Sequence, residues 1–165
     1  WNSQSVPNNK LFTLEVKTRL KDIFIQSCRA NMEASSKCIL YKNIVDSFCL
    51  QYYLRKSIPT KLKYQLCKFR ISSHNLLIET GRYTNVTRNE RRCQLCDHGE
   101  IEDEYHFILC CPFYIDIRLK FIKPYYYRRP SMLKLVQLLS STSVKRLTNL
   151  AKYLQSACKR RDIVI

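Results

Sequence analysis

Glycine occurs only twice in this 165-residue chain, as Gly81 and Gly99. So little glycine excludes a phosphate-cradling Gly-rich loop and argues against a sheet-rich fold with many tight turns. Acids are also scarce, with 13 Asp and Glu against 29 Lys and Arg, for a formal net charge of +16. No run of residues approaches the ~20 consecutive apolar positions of a membrane-spanning helix. The first residues, Trp1 to Asn9, are polar, so no signal peptide is expected there, and a chain opening on Trp1 reads as a piece of something longer. Apolar residues nevertheless make up 45% of the chain, enough for a buried core. The expectation is a mostly α-helical domain with a polyanionic partner, RNA or DNA, and no membrane partner.

Helical periodicity supports that class. Phe12, Val16, Leu20, Phe24 and Cys28 recur at four-residue steps, with Ile23 widening the stripe. A second helix is expected from about Ser36 to Leu54, and Ser57-Ile58-Pro59-Thr60 marks a stop and a new start. Leu62, Leu66 and Phe69 continue a third helix, and Gly81 ends the apolar run after His74. Further on, Tyr114 to Phe121 and Ser131 to Leu139 read as short helices. Val144, Leu147, Ala151, Leu154 and Cys158 form one apolar seam of a last helix. The organisation expected is a helical region over 1–92 ending in a basic loop, a metal module over 93–112, and C-terminal helices over 113–165 packing on the same domain.

Nine cysteines is an odd number, and their spread does not suit a disulfide framework. Cys28, Cys38, Cys49, Cys67 and Cys158 sit singly among apolar neighbours and read as small buried hydrophobes in a reducing, intracellular compartment, nucleus or cytoplasm. The other four crowd together. Cys93 and Cys96 are separated by two residues, and His106 follows after nine more. Cys110 and Cys111 come just behind. Zinc takes four tetrahedral ligands from thiolate and imidazole, and a site closed by four protein ligands is structural rather than catalytic. Gly99 is available for the reversal of the loop. A short helix over roughly Asp103 to Cys110 would put His106 and Cys110 on one face, whereas Cys111 lies in extended geometry before Pro112. Helical reach leaves both open as fourth ligand, and His98 is a weaker rival to His106.

The segments Phe69-Arg70-Ile71-Ser72-Ser73-His74-Asn75-Leu76, Ile78-Glu79-Thr80-Gly81-Arg82-Tyr83, Glu90-Arg91-Arg92-Cys93 and Glu102-Asp103-Glu104-Tyr105-His106-Phe107, running on to Cys111-Pro112, carry a further signal. They resemble the region downstream of the polymerase in LINE-type (non-LTR) retrotransposon reverse transcriptases. The resemblance is specific over about residues 69–118 and loose elsewhere. It implies a Cys-Cys-His-Cys zinc module in which the last cysteine precedes the proline, hence Cys93, Cys96, His106 and Cys111. It also implies a nucleic-acid-handling accessory role beside upstream reverse transcriptase domains. The chain itself has no Tyr-x-Asp-Asp motif and no spread set of carboxylates for two catalytic metal ions, so no catalysis is expected of this piece.

Five of the 13 acids fall between Asp97 and Glu104, where Glu102 and Asp103 would favour the N-terminus of the short helix. The basic residues gather in three patches. Arg82, Arg88, Arg91 and Arg92 precede the first ligand. Arg118, Lys120, Lys123, Arg128 and Arg129 are interleaved with Tyr125, Tyr126 and Tyr127, and Lys159, Arg160 and Arg161 lie at the tail. Guanidinium groups grip phosphates and exposed rings stack on unpaired bases, which suits a single strand. The nucleic-acid contacts expected are Arg82, Arg88, Arg91, Arg92, Lys123, Tyr125, Tyr126, Arg128 and Arg129. The competing expectation is a zinc-supported structural or protein-interaction module, from a degenerate or domesticated retroelement, whose charge only keeps it soluble.

Overall fold

A computed structural model of the chain describes residues 9–37, 39–45 and 47–165. It divides into two units, Trp1–Ser36 and Lys37–Ile165. Of the first unit the described part is essentially one helix, α1 (Asn9–Ala34), in which no residue is buried. Its apolar stripe is present as the periodicity predicts, but Leu20 and Phe24 remain about three-fifths exposed (61% and 62%).

The second unit is built from short helices around two longer ones. In order they are α2 (Ile39–Ile44), α3 (Tyr52–Arg55), α4 (Thr60–Arg70), α5 (Leu77–Thr80), α6 (Ile115–Phe121), α7 (Pro124–Tyr127), α8 (Met132–Leu139) and α9 (Val144–Val164). Among the described residues there is no strand, only an isolated antiparallel bridge between Arg92 and Ile101. The helix expected over 36–54 is therefore two short pieces. Between them Ser47 Oγ contacts Cys49 Sγ and the Gln51 amide donates to the Cys49 carbonyl, local bonds that compete with a helical ladder.

The later helices follow their local signals closely. Pro59 precedes α4, and the chain leaves it through Ser72 in the left-handed region (φ 50°). The Ser131 and Ser143 hydroxyls accept from the third residues of α8 and α9, capping both. Pro124 opens α7, a single helical turn.

α4, α8 and α9 enclose the core. Leu66 and Phe69 of α4 meet Leu135 and Leu139 of α8 and Leu147, Leu150, Ala151, Tyr153, Leu154 and Ala157 of α9, all essentially sealed from solvent. Fully burying one such leucine contributes on the order of 1.5–3 kcal/mol. The expected seam of α9 is thus the buried face, with Val144 and Cys158 at its half-buried margins. Of the other single cysteines, Cys49 is exposed and Cys28 and Cys67 are half-buried, so the expectation of buried thiols fails for Cys49; Cys38 lies outside the described residues.

Several arginines belong to the architecture. Arg70, 4% exposed, donates to the Leu139 carbonyl at the end of α8 and to Gln51 Oε1 at 2.9 Å. Arg118 on α6 donates to the carbonyls of Ile108 (2.9 Å) and Cys111 (2.7 Å). Arg161 on α9 pairs with buried Glu102 at 2.7 and 2.9 Å.

Candidate metal centre

Residues 91–111 form a hairpin closed by a helical turn. Cys93 N–H donates to the Glu100 carbonyl and Glu102 N–H to the Arg91 carbonyl, both at 2.8 Å, so two narrow arms face each other. Gly99 makes the reversal at φ +65°, a left-handed backbone that side chains rarely adopt. The Arg92 guanidinium closes the loop on the Gly99 carbonyl at 2.6 Å.

The returning arm enters a helical turn whose second half is wider than an α-helix. Residues His106–Cys110 form a π-turn, with Cys111 N–H bonded to the His106 carbonyl at 2.7 Å across five residues. Asp103 begins it by accepting the His106 N–H at 2.8 Å. This turn decides between the two adjacent thiols. The extra residue carries Cys110 past the position it would hold on an α-helix and brings Cys111 to the face of His106. Cys110 is half-buried outside the cluster; Cys111 is fully buried within it.

The Sγ atoms of Cys93, Cys96 and Cys111 and a ring nitrogen of His106 all lie within 4.8 Å of one another. Cys93 Sγ and Cys111 Sγ are 3.9 Å apart, and Cys96 Sγ is 3.3 Å from His106 Nε2. Zinc bonds of ~2.3 Å to sulfur and ~2.0 Å to nitrogen give tetrahedron edges of about 3.8 Å (S to S) and about 3.5 Å (S to N). The four donors therefore already stand near the corners of such a tetrahedron. Three thiols and an imidazole form a donor set that fits a divalent, thiophilic metal, and all four corners come from protein.

The site's electrostatics point the same way. The Cys111 S–H beside Cys93 holds the Cys93 thiol far below its ordinary value, against the opposing effect of burial. The same hydrogen bond and then burial push Cys111 strongly up. Burial lowers the affinity of the His106 ring for a proton, but hydrogen bonds to Cys93 and Glu100 outweigh it and leave the ring raised. Glu100 Oε2 sits 3.0 Å from His106 Nδ1 and leaves Nε2 for the cluster. An outer carboxylate of this kind fixes the tautomer and orientation of a ligating histidine. Sequence reasoning grouped Glu100 with the loop acids and assigned it nothing, since six residues of separation carry no pattern of their own.

The remaining acids are also occupied. Glu102 is 1% exposed; besides Arg161, it accepts the Leu77 N–H at 2.8 Å. It therefore ties α5 to α9, while Asp103 alone takes the helix-start position expected of both. Glu104 accepts from Ser72 Oγ at 2.6 Å and lies 2.9 Å from His74 Nε2. His74 thus packs as a structural residue against Phe69, ring centroids 4.7 Å apart.

The expected nucleic-acid contacts separate into two kinds. Arg88, Arg92, Lys123, Arg128, Arg129 and Tyr125 are exposed. Arg91 instead turns inward, donating to the carbonyls of Ile78 (2.8 Å) and Val86 (3.0 and 2.8 Å). Arg82 pairs with Glu79 at 3.2 Å. The stacking role expected of Tyr126 does not fit, because its ring is 4% exposed and packed in the core. In the tail patch Arg160 pairs with Asp116 and Arg161 with Glu102. Compared with known proteins, the chain matches no family model, no curated protein and no solved structure.

Proposed function

We propose that the chain is a zinc-stapled, nucleic-acid-binding accessory domain of a LINE-type reverse transcriptase protein, capturing RNA or target DNA through phosphates without catalysing a reaction itself. The observation that carries this reading is the Cys93, Cys96, His106 and Cys111 cluster, whose hairpin arm carries exposed Arg92, with exposed Arg88 in the turn just before it. The Cys3His donor set supports zinc as the metal, with the role of folding the hairpin. With every corner supplied by protein, no coordination position is left for a reacting water. A strongly basic chain with cations of this kind on its surface suits sequence-tolerant contact with a polyanion.

Metal analysis of the purified, reduced protein tests the first half, with one zinc per chain expected and helical content lost on chelation. No bound metal, with structure unchanged by chelator, would overturn it. Titration of a single-stranded oligonucleotide over a salt series tests the second half. Each phosphate contact is expected to steepen the log–log salt dependence by about −0.7. Absence of saturable binding at low salt would leave a second reading, a protein-interaction module, which the exposed apolar face of α1 favours.

A further inference from the structure

Outside the metal centre the second unit contains a cleft of about 360 Å³ walled by the end of α6, the Lys123 segment, α8 and the first two turns of α9. That volume falls within the range of small-molecule sites. Its composition is one-sided. Lys123, Lys145 and Arg146 stand around it, and no Asp or Glu lines it. Lys123 and Lys145 are exposed, and among the described residues neither has an ion-pair partner. Arg146 is steered to the cleft by a hydrogen bond to the Tyr126 hydroxyl at 3.2 Å. The ring of Tyr126 is therefore core while its hydroxyl orients a cation. The floor is apolar, made by half-buried Phe121 and the small exposed edges of Leu138 (3%) and Leu150 (1%). Asn149 lies half-buried on the wall, and its side-chain amide has no hydrogen-bond partner among the described residues.

We propose that this cleft takes one unpaired nucleotide of a single-stranded nucleic acid, with its phosphate among Lys123, Lys145 and Arg146 and its base over the apolar floor. The inference rests on the nucleic-acid reading above and adds to it a preference for single strands. A free phosphate would use the cations and leave the floor exposed. A duplex would present phosphates but keep its bases stacked inside, out of reach of the floor. Of these three, an unstacked nucleotide alone brings charge and a flat ring together on one accessible unit, and the Asn149 amide can donate to or accept from a base edge.

The test uses the zinc-loaded full chain and adenosine monophosphate as probe, with inorganic phosphate as comparison. Adenosine monophosphate should bind more tightly than phosphate. Lys123→Glu with Lys145→Glu should weaken it about tenfold or more, while Lys17→Glu with Lys21→Glu on α1, the same change of charge, should not. A single-stranded oligonucleotide should show the same ranking and bind more tightly than a duplex of equal length, with all variants keeping wild-type circular dichroism. Equal affinity for phosphate, or equal weakening by the two double variants, overturns the cleft; salt-dependent binding of the oligonucleotide would then still uphold the proposed function. Loss of all oligonucleotide and mononucleotide binding in the wild type overturns both.

Discussion

The two longest helices carry similar residues and meet different fates. α1 runs 26 residues with no buried side chain, and α9 runs 21 residues with seven. The step pattern explains much of this. At about 100° per residue, the four-residue steps from Phe12 to Cys28 wind the stripe through about 160°, too broad a path for one flat neighbour. The mixed three- and four-residue steps from Val144 to Cys158 stay within about 80° and make a single seam. α9 also has partners on several sides. The Tyr153 hydroxyl donates to the Phe107 carbonyl at 2.5 Å, Arg161 reaches Glu102 and Arg160 reaches Asp116. Phe107 itself stacks on Phe69 and meets the rings of Tyr114 and Tyr153. Periodicity makes a helix, but burial requires a seam and something to set it against.

That contrast has measurable consequences. The largest is expected at Arg161, which neutralises a carboxylate only 1% exposed. Arg161→Met should cost about 3–5 kcal/mol in denaturant unfolding, because Glu102 is left buried and unpaired. Adding Glu102→Gln should recover much of the loss; a single variant as stable as the wild type would show that Glu102 reaches water. Next is a matched pair of truncations. Leu154→Ala, in the α9 seam, should cost about 2–5 kcal/mol. Leu20→Ala, on exposed α1, should stay within about 0.5 kcal/mol. Equal losses would break the comparison, since α1 would then be packed in solution.

The smallest effect is at the surface of α9. Hydrogen bonds from Arg160, at 2.6 Å to each Asp116 oxygen, hold that carboxyl at about 2, below its ordinary value of 3.8. A depressed folded value means that the pair's contribution is fully present above about pH 4 and fades as pH falls toward 2. Asp116 is exposed, so the check is its own titration by NMR. The midpoint should return toward the ordinary aspartate value in Arg160→Met, and an unchanged midpoint would remove the pair from the account.

Much of the architecture is legible along the chain because its signals are local. Pro59, Ser131, Ser143 and the seam of α9 mark three helices within a residue or two. The metal set is legible for the same reason, four soft ligands at close spacing with Gly99 between them. The break at residues 47–51 is not, since it goes with local side-chain bonds that no period announces. Nor are the duties of the arginines. Arg70, Arg91, Arg118 and Arg161 add the same unit of charge as Arg88 or Arg92, yet each is spent on carbonyls or a buried carboxylate of the fold.

By itself the sequence determined the helical class, the positions of α4, α8 and α9, and a cysteine–histidine cluster spaced for a metal, because each rests on residues a few positions apart. Only the tertiary structure decided how Cys111, the thiol the resemblance implies, is brought to the cluster while Cys110 stays outside it, that Glu100 backs His106, that Tyr126 is core, and which arginines face solvent. Those outcomes depend on a π-turn bond across five residues and on contacts reaching up to 69 positions along the chain. Side chains of one type become distinguishable only when packing assigns them different neighbours.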